Sequence, residues 1–352
     1  MADKVKVLVV DDSFLMRRII SDIVNSDPHL EVVGKAKDGE EALEKIVSLN
    51  PDVVTLDINL PVKNGIDVLN DIMKVRPTKV IMLSAYTRAG ASATIRALEL
   101  GAVDFIAKPC GEISLGLEKL KDEIITKIKL AANVDLGKYL SAFRAAGLAV
   151  QEEEKNAGVK KLVIIGASTG GPKAILNLMK CIPGDIDAAF LIVQHMPKGF
   201  TLSFAERISW EAGIKAKEAE DGDIIDSSKA FVAPAGSHMI LSREKGLLKI
   251  RLTQDAPVNF VRPSIDVTML SAVNIFGGQI IGVILTGMGK DGLEGARKIK
   301  EAGGMILIQD EESSVVWGMP GSVSRAGLSE GALPLSQIAE VLVKCIRGES
   351  SR

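Results

Sequence analysis

Short apolar runs alternate with longer amphipathic stretches through residues 4–128 of the 352-residue chain. Runs of β-branched residues, each followed by a stretch of helical periodicity, are typical of a parallel sheet covered by helices on both faces. The predicted strands are 5–10, 31–36, 52–56, 79–84 and 103–107, and the predicted helices begin near Ser13, Gly39, Gly65, Ala91 and Glu112. We therefore expect a five-stranded parallel (βα)5 domain.

The same alternation returns in the second half of the chain, after a break. The periodicity fades beyond residue 129, and the polar run 151–156 precedes the next apolar strand. The later predicted strands are 162–165, 188–193, 229–232, 280–285 and 305–308. The pattern predicts a first domain over 1–129, a linker over 130–158 with room for a helix over 136–148, and a doubly wound, mainly parallel α/β domain over 159–352.

The composition, 47% hydrophobic and 25% charged, suits two cored domains of a soluble protein. A net charge of −2 with no run of Lys and Arg argues against a nucleic-acid partner. Cys110, Cys181 and Cys345 are odd in number and far apart, which fits reduced thiols. No apolar run has the length of a signal peptide core or a membrane span, so we expect a cytoplasmic protein that does not insert into membranes.

Polar side chains follow several strands of the first predicted sheet. Asp11 and Asp12 end the first strand, Asp57 the third, Ser84 the fourth and Lys108 the fifth. The carboxyl ends of parallel strands share one edge, where three crowded carboxylates would require a hard cation such as Mg²⁺. With Lys108 neutralising phosphoryl oxygens, Asp57 could attack a phosphodonor, and Ser84 could hydrogen-bond the new group.

Each of these residues alone also fits a simpler role, since Asp11 or Asp12 could cap the helix after Ser13 and Asp57 could be a loop acid. Their joint placement favours the phosphoryl-accepting site. The segments that carry the site are VVDDS at 9–13, TLDINLP at 55–61, SA at 84–85 and KP at 108–109. They resemble the receiver domain of bacterial response regulators, a flavodoxin-like fold.

This resemblance implies phosphorylation of Asp57 by a histidine kinase. It also implies that Asp12, Asp57 and the backbone carbonyl of Asn59 hold Mg²⁺ beside Asp11. Ser84 and Tyr86 would be the positions that respond to phosphorylation.

In the second half, the segment VIIGASTGGP at 163–172 ends an apolar strand in a glycine turn. Its Gly-x-Ser-x-Gly pattern presents Ser168, and Pro172 can open a helix whose N–H groups face developing negative charge. Two alternatives stay open. Ser168 or Thr169 could simply cap the helix, or the turn could cradle a phosphate, although neither common phosphate-loop pattern is present.

A serine nucleophile needs a base, and the chain has three histidines, His29, His195 and His238. His29 belongs to a turn of the first domain. His195 comes directly after an apolar strand, so it should lie at the same sheet edge as Ser168. His238 also follows a strand, and its position alone does not dismiss it.

The third member should be a carboxylate that orients the imidazole. Asp291, in the glycine-rich segment TGMGKDG at 286–292, fits this need, with Asp266 as the competing acid. An isolated aspartate here would more simply cap a helix. The flexible backbone around Met288 could direct an N–H at an oxyanion.

The chain order Ser, His, Asp differs from the α/β-hydrolase order. The segments GASTGG at 166–171, QHMP at 194–197, PSID at 263–266 and TGMGKDG at 286–292 resemble the catalytic domain of chemotaxis protein-glutamate methylesterases. The resemblance makes Ser168 the nucleophile, His195 the base and Asp291 its orienting acid, with Met288 as oxyanion donor and Thr169 beside the site. Val261 stands where relatives often have histidine, which leaves substrate contacts open.

The resemblance implies a methylesterase that releases methanol from glutamate methyl esters of chemoreceptors and deamidates receptor glutamines. Mg²⁺ would serve the receiver, and ester hydrolysis would need no cofactor. Domain order suggests that the receiver is an inhibitory lid. The rival interpretations are a non-enzymatic receiver-output protein and a nucleotide-binding regulator, and a DNA-binding regulator is least favoured.

Overall fold

The structure, a computed structural model, describes residues 4–85, 87–108, 117–136 and 159–349. The chain divides into two compact units, residues 1–140 and 141–352. In the part of the chain so described, no helix is long and apolar enough to cross a membrane. Cys181 and Cys345 carry free thiols, and Cys110 lies outside the described residues.

The first unit is a five-stranded parallel sheet in the order β2-β1-β3-β4-β5. Its strands are β1 (Val5–Val10), β2 (Leu30–Ala36), β3 (Val53–Asp57), β4 (Lys79–Ser84) and β5 (Asp104–Ala107). Its helices are α1 (Phe14–Asn25), α2 (Gly39–Leu49), α3 (Gly65–Val75), α4 (Arg88–Glu99) and α5 (Leu117–Ala132). The predicted (βα)5 architecture is confirmed.

Helix boundaries differ from prediction in two places. Helix α4 begins at Arg88, before the predicted Ala91, because the Thr87 side chain accepts a hydrogen bond from the Gly90 N–H and caps the helix. Helix α5 continues to Ala132, into the segment predicted as linker. Its predicted start near Glu112 lies outside the described residues, as does the predicted helix over 136–148 apart from residue 136.

The second unit is built on a seven-stranded parallel sheet in the order β14-β13-β12-β6-β7-β9-β8. Its strands are β6 (Leu162–Ala167), β7 (Ala189–Gln194), β8 (Lys215–Glu218), β9 (Lys229–Val232), β12 (Ile280–Ile284), β13 (Met305–Gln309) and β14 (Ala332–Leu333), and a separate antiparallel hairpin joins β10 (His238–Glu244) to β11 (Leu247–Thr253). Its helices are α6 (Gly171–Lys180), α7 (Phe200–Glu211), α8 (Ile265–Phe276), α9 (Leu293–Glu301), α10 (Met319–Arg325) and α11 (Leu335–Arg347). The predicted mainly parallel α/β architecture is confirmed.

Strands β8, β10, β11 and β14 were not predicted from the sequence. Strand β8 is a polar edge strand, and β14 has two residues, too few for a periodicity. Strands β10 and β11 join at Lys245 and Gly246, both with positive φ, which is a recognisable hairpin signal.

The strand order places the candidate site. Strands β6 and β12 are hydrogen-bonded neighbours, although the chain leaves β6 toward β7 and returns to β12 much later. In open α/β sheets, ligands bind at the carboxyl ends of the strands where the order reverses in this way. Ser168 follows β6 at this switch point.

Candidate active site

Ser168 is held by backbone hydrogen bonds on both sides of the turn after β6. Its N–H donates to the Thr286 carbonyl at 3.0 Å, and its carbonyl accepts from the Gly171 N–H at 2.8 Å. Gly170, with φ of 76°, is the N-cap of α6, and no side chain caps that helix. The hydroxyls of Ser168 and Thr169 are therefore not used as helix caps.

Gln194, the last residue of β7, links the two strand ends of the site. Its Nε2 donates to the carbonyl of Ser168 at 2.9 Å and to that of His195 at 3.0 Å, and the side chain is buried. A Cβ on Gly171 would lie 2.1 Å from Gln194 Oε1, so glycine is required there for this close approach. Gln194 begins the QHMP segment at 194–197, but the sequence alone gave it no role.

Strand register brings Ser168 and His195 together. Ala167 pairs with Gln194 on the neighbouring parallel strand, and the His195 N–H donates to the Ala167 carbonyl at 3.1 Å. Neighbouring strands lie about 4.8 Å apart, so the two following residues are adjacent across the sheet edge. Ser168 and His195 are therefore neighbours at one edge of the sheet, so their side chains can meet there.

The His195 ring binds Asp291 through Nε2, with Asp291 Oδ2 at 2.9 Å. Asp291 therefore leaves Nδ1 as the other nitrogen of the ring. In the serine-protease arrangement the acid holds Nδ1, whereas here the acid holds the other ring nitrogen.

Asp291 is buried and accepts hydrogen bonds from several groups around it. Besides His195, the donors are Ser264 Oγ at 2.7 Å, Ile265 N at 2.7 Å, Asp266 N at 3.2 Å and Asn259 Nδ2 at 3.1 Å. Burial by itself raises the pKa of Asp291, but the hydrogen bonds and the charge of His195 outweigh burial and lower this pKa to about 2. The side chain is therefore a carboxylate that can stabilise an imidazolium.

Asp266, the competing acid, has a different place. Its Oδ1 accepts from the Gly295 N–H at 2.8 Å and its Oδ2 from Asn259 Nδ2 at 2.9 Å, so it caps α9. Burial, with the nearby charge of Asp291, raises the pKa of Asp266 to about 6. The carboxylate that bonds His195 is that of Asp291.

His238 is buried, and both of its ring nitrogens have partners. Nδ1 accepts from the Ser264 N–H at 3.2 Å, and Nε2 lies 3.2 Å from the Ala256 carbonyl. An imidazole that accepts at Nδ1 and donates at Nε2 is neutral and has no nitrogen left for a serine. His238 instead supports Ser264, whose hydroxyl holds Asp291.

The loop after β12 offers N–H groups for an oxyanion. A Cβ on Gly287 would lie 2.8 Å from Ser168 Cβ, which shows how closely the loop approaches the serine. Thr286 Oγ1 donates to the Thr169 carbonyl at 2.9 Å and ties the two turns together. Among the described residues, no acceptor is found for the backbone N–H of Met288 or of Thr169.

The first unit has its own polar cluster at the carboxyl ends of β1 and β3. Asp11, Asp12 and Asp57 each place one oxygen within 4.8 Å of the others. Lys108 Nζ lies 2.7 Å from both Asp11 Oδ2 and Asp57 Oδ2. Burial lowers the pKa of Lys108, but its hydrogen bonds to the two carboxylates outweigh burial and raise this pKa.

A cation fits this cluster. Burial raises the pKa of Asp57, the charge of Asp11 adds to this effect, and Lys108 opposes it only in part. Asp57 Oδ1 is buried without a hydrogen-bond partner in the described part of the chain. An unpaired, buried carboxylate oxygen among three acids is a suitable ligand for a hard cation such as Mg²⁺.

Asn59 and Ser84, two further predicted receiver residues, lie near the carboxyl ends of β3 and β4. Asn59 is exposed and lies two residues beyond Asp57. Ser84 ends β4, and its Oγ donates to the Gly90 carbonyl at 3.1 Å. Tyr86 lies outside the described residues.

Together, the fold and the two sites define a class of protein that joins a phosphate-accepting switch domain to an α/β domain with a hydrolase-like serine, histidine and aspartate. The model of the CheB methylesterase family matches residues 163–342, and that of the response regulator receiver domain matches residues 7–118. The chain belongs to the CheB methylesterase family and carries a receiver domain in front of the catalytic domain.

Relatives cover nearly the whole chain. A protein-glutamate methylesterase/protein-glutamine glutaminase of Pyrococcus horikoshii is 46% identical over 98% of this chain and 95% of its own. One from Thermotoga maritima is 44% identical over 98% of this chain and 100% of its own. The crystal structure of the Thermotoga maritima CheB methylesterase catalytic domain matches with a TM-score of 0.52 and 39% identity, over 54% of this chain and 99% of that one.

Proposed function

We propose that Ser168, His195 and Asp291 catalyse the hydrolysis of glutamate γ-methyl esters on chemoreceptors. The activity is that of the family, a phosphorylation-regulated protein-glutamate methylesterase and protein-glutamine glutaminase. The observation that carries the residue assignment is the 2.9 Å bond between His195 Nε2 and Asp291 Oδ2, made at a strand end in register with Ser168.

In the first half of the reaction, Ser168 Oγ attacks the γ-carbonyl carbon while His195 Nδ1 takes the hydroxyl proton. Asp291 holds the ring and stabilises the imidazolium that forms. The N–H groups of Met288 and Thr169 donate to the developing oxyanion. The ester C–O bond then breaks, and the departing methoxide receives the proton from His195 and leaves as methanol.

In the second half, water attacks the acyl-enzyme with His195 as base, and the glutamate carboxylate leaves Ser168. Deamidation of a receptor glutamine follows the same steps with ammonia as the leaving group. Proton donation by His195 then matters more, because an unprotonated amide nitrogen is a far poorer leaving group than methoxide.

In the receiver, Asp57 takes a phosphoryl group from a chemotaxis histidine kinase. Asp11, Asp12, Asp57 and the Asn59 carbonyl would hold Mg²⁺, which neutralises phosphoryl charge when bound. Lys108 already contacts Asp57 and would pair with the phosphoryl oxygens. Ser84 would exchange its bond to Gly90 for one to the phosphoryl group, with Tyr86 as the second responding position.

We infer the mode of regulation from the order of the two domains along the chain. Taking 1–129 as receiver, 130–158 as linker and 159–352 as catalytic domain, we infer that the unphosphorylated receiver inhibits access to Ser168. Phosphorylation shifts this equilibrium only if phosphate changes the receiver's affinity for the catalytic domain. We place the protein in the cytoplasm, where the kinase acts.

A serine-directed acylating probe tests the residue assignment. We expect mass spectrometry to find the probe on Ser168 in the wild-type protein and to find little in His195→Ala, because the base that activates the hydroxyl is lost. Labelling of another serine, or equal labelling of Ser168 in both proteins, would contradict the assignment. Retention of a nucleotide without labelling would favour the rival phosphate-binding function.

A further inference from the structure

The segment 258–261 forms a tight hairpin turn beside the catalytic acid. Val258 and Val261 exchange backbone hydrogen bonds of 3.2 and 3.0 Å, and the two residues between them, Asn259 and Phe260, have φ of 52° and 65°. Two-residue hairpin turns with positive φ at both central positions favour Asn first and Gly second. Here the second position is occupied by phenylalanine.

Phe260 has an unfavourable backbone conformation, and none of the described residues packs against its side chain to offset that cost. A left-handed conformation is disfavoured for residues with a Cβ, most of all for bulky ones. The side chain is 102% exposed, so it gains no burial from the described residues. A bulky, exposed apolar side chain on a strained backbone is a candidate for a functional contact.

The turn is fixed to the catalytic centre by the residue before Phe260. Asn259 Nδ2 donates both to Asp291 Oδ1 at 3.1 Å and to Asp266 Oδ2 at 2.9 Å. Beyond Ser168, the loop after β12 presents Met288, which is 53% exposed and directly follows Gly287. Exposed apolar side chains therefore flank the centre from the Asp291 side and from the Ser168 side.

We propose that Phe260 is a specificity-determining residue that contacts the substrate polypeptide next to the modified glutamate. This inference rests on the proposed function, which supplies the occupant. The glutamate ester must reach Ser168 from the surface of another protein, so the chain around it lies against the rim of the site. An exposed aromatic ring at the rim, anchored through Asn259, buries apolar surface against that chain and selects protein-bound esters over free ones.

Two substrates with the same ester separate this contact from the chemistry. One is methylated receptor in membranes, and the other is N-acetyl-glutamate γ-methyl ester N′-methylamide, which has no flanking chain. In full-length Phe260→Gly, we expect kcat/KM for receptors to fall about tenfold, or about 1.4 kcal/mol, and kcat/KM for the small ester to stay within about twofold. The Tm should not fall, because glycine is the residue that this turn position favours.

Two control variants bound the result. Phe260→Tyr keeps the aromatic ring and should retain the wild-type kcat/KM for methylated receptors. Trp210 is another exposed aromatic residue, 80% exposed, in the last turn of α7. Trp210→Ala should leave kcat/KM unchanged for both substrates.

Three outcomes would overturn the proposal. Receptor turnover could be unchanged in Phe260→Gly. Both substrates could lose activity equally, which would mean that the turn acts through Asp291. Unphosphorylated Phe260→Gly could hydrolyse the small ester faster than unphosphorylated wild type, which would mean that Phe260 contacts the receiver. Failure of the proposed function itself looks different, since the wild-type protein would then release no methanol from either substrate.

Discussion

At the scale of single residues, two buried aspartates that lie close together have opposite properties. Asp291 accepts hydrogen bonds from five groups, and its pKa falls to about 2, whereas Asp266 lies near that charge and its pKa rises to about 6. Separated pKa values in neighbouring acids indicate separate roles. Only Asp291 contacts the histidine, so the two can be told apart by mutation.

Asp291→Asn should lower kcat by about 10³- to 10⁴-fold, because the amide favours the wrong histidine tautomer and cannot stabilise the imidazolium. The matched change Asp266→Asn should retain at least about a tenth of the activity, since Asp266 has no contact with His195. Methanol-release kinetics on both variants measure this. Equal losses in the two variants would remove the distinction between them.

The raised pKa of Asp266 also predicts a pH dependence of stability. Because the folded pKa of about 6 lies above the ordinary value of 3.8, ionised Asp266 destabilises the fold. This cost is absent below the unfolded pKa, grows as the pH rises to the folded pKa, and is constant above it. Relative to the wild type, Asp266→Asn should therefore gain about 1 kcal/mol of unfolding free energy between pH 5 and pH 8. Denaturant unfolding of both proteins at the two pH values checks this. An advantage of Asp266→Asn over the wild type that was larger at pH 5 than at pH 8 would contradict the prediction.

Sequence reasoning at this scale proposed residues whose chemistry is recognisable from the sequence, and it did not find the residues that hold them in place. Ser168, His195 and Asp291 follow strand ends in glycine-rich or apolar contexts that can be read directly. Asn259 and Ser264 act through contacts with residues about 30 positions away along the chain. No local pattern encodes such contacts.

At the scale of secondary-structure elements, the site is assembled by the ends of β6, β7 and β12. Parallel register places Ser168 next to His195, and the first turn of α8 supplies the backbone N–H groups of Ile265 and Asp266 to Asp291. The apolar strands were predictable because buried parallel strands are continuous hydrophobic runs. The β10–β11 hairpin and the edge strand β8 are half-polar, and their period was not recognised.

Gly171→Ala should impair catalysis without unfolding the protein. The new Cβ would meet Gln194 Oε1 and Ala167 Cβ, so Gln194 would have to move and would loosen its bonds to the carbonyls of Ser168 and His195. We expect kcat to fall at least tenfold with the far-UV circular dichroism retained. Gly213→Ala is the control, since a Cβ there would have its nearest neighbour at 3.5 Å. Full activity of Gly171→Ala would show that the position tolerates a side chain.

At the scale of the whole molecule, two complete α/β units share one chain. Each has its own parallel sheet and its own polar cluster, and the catalytic unit matches a separately crystallised relative along 99% of that relative's length. The two-domain organisation was readable from the repeated strand–helix alternation.

Asp57→Asn should abolish activation by a small phosphodonor such as acetyl phosphate, because an amide cannot accept the phosphoryl group. The rate of the unphosphorylated variant should equal that of the unphosphorylated wild type.

Residues 159–352 alone should hydrolyse the ester faster than the unphosphorylated full chain if the receiver inhibits. A truncated protein that is no faster than the unphosphorylated full chain would discard simple inhibition.

Methanol release from methylated receptor membranes, compared between the wild-type protein and Ser168→Ala, tests the central claim most directly. Ser242→Ala, in the β10–β11 hairpin, is the matched control. The account predicts that the wild-type and Ser242→Ala proteins release methanol at similar rates, and that Ser168→Ala falls to the background while its circular dichroism stays unchanged. A folded Ser168→Ala protein that still released methanol at the wild-type rate would contradict it.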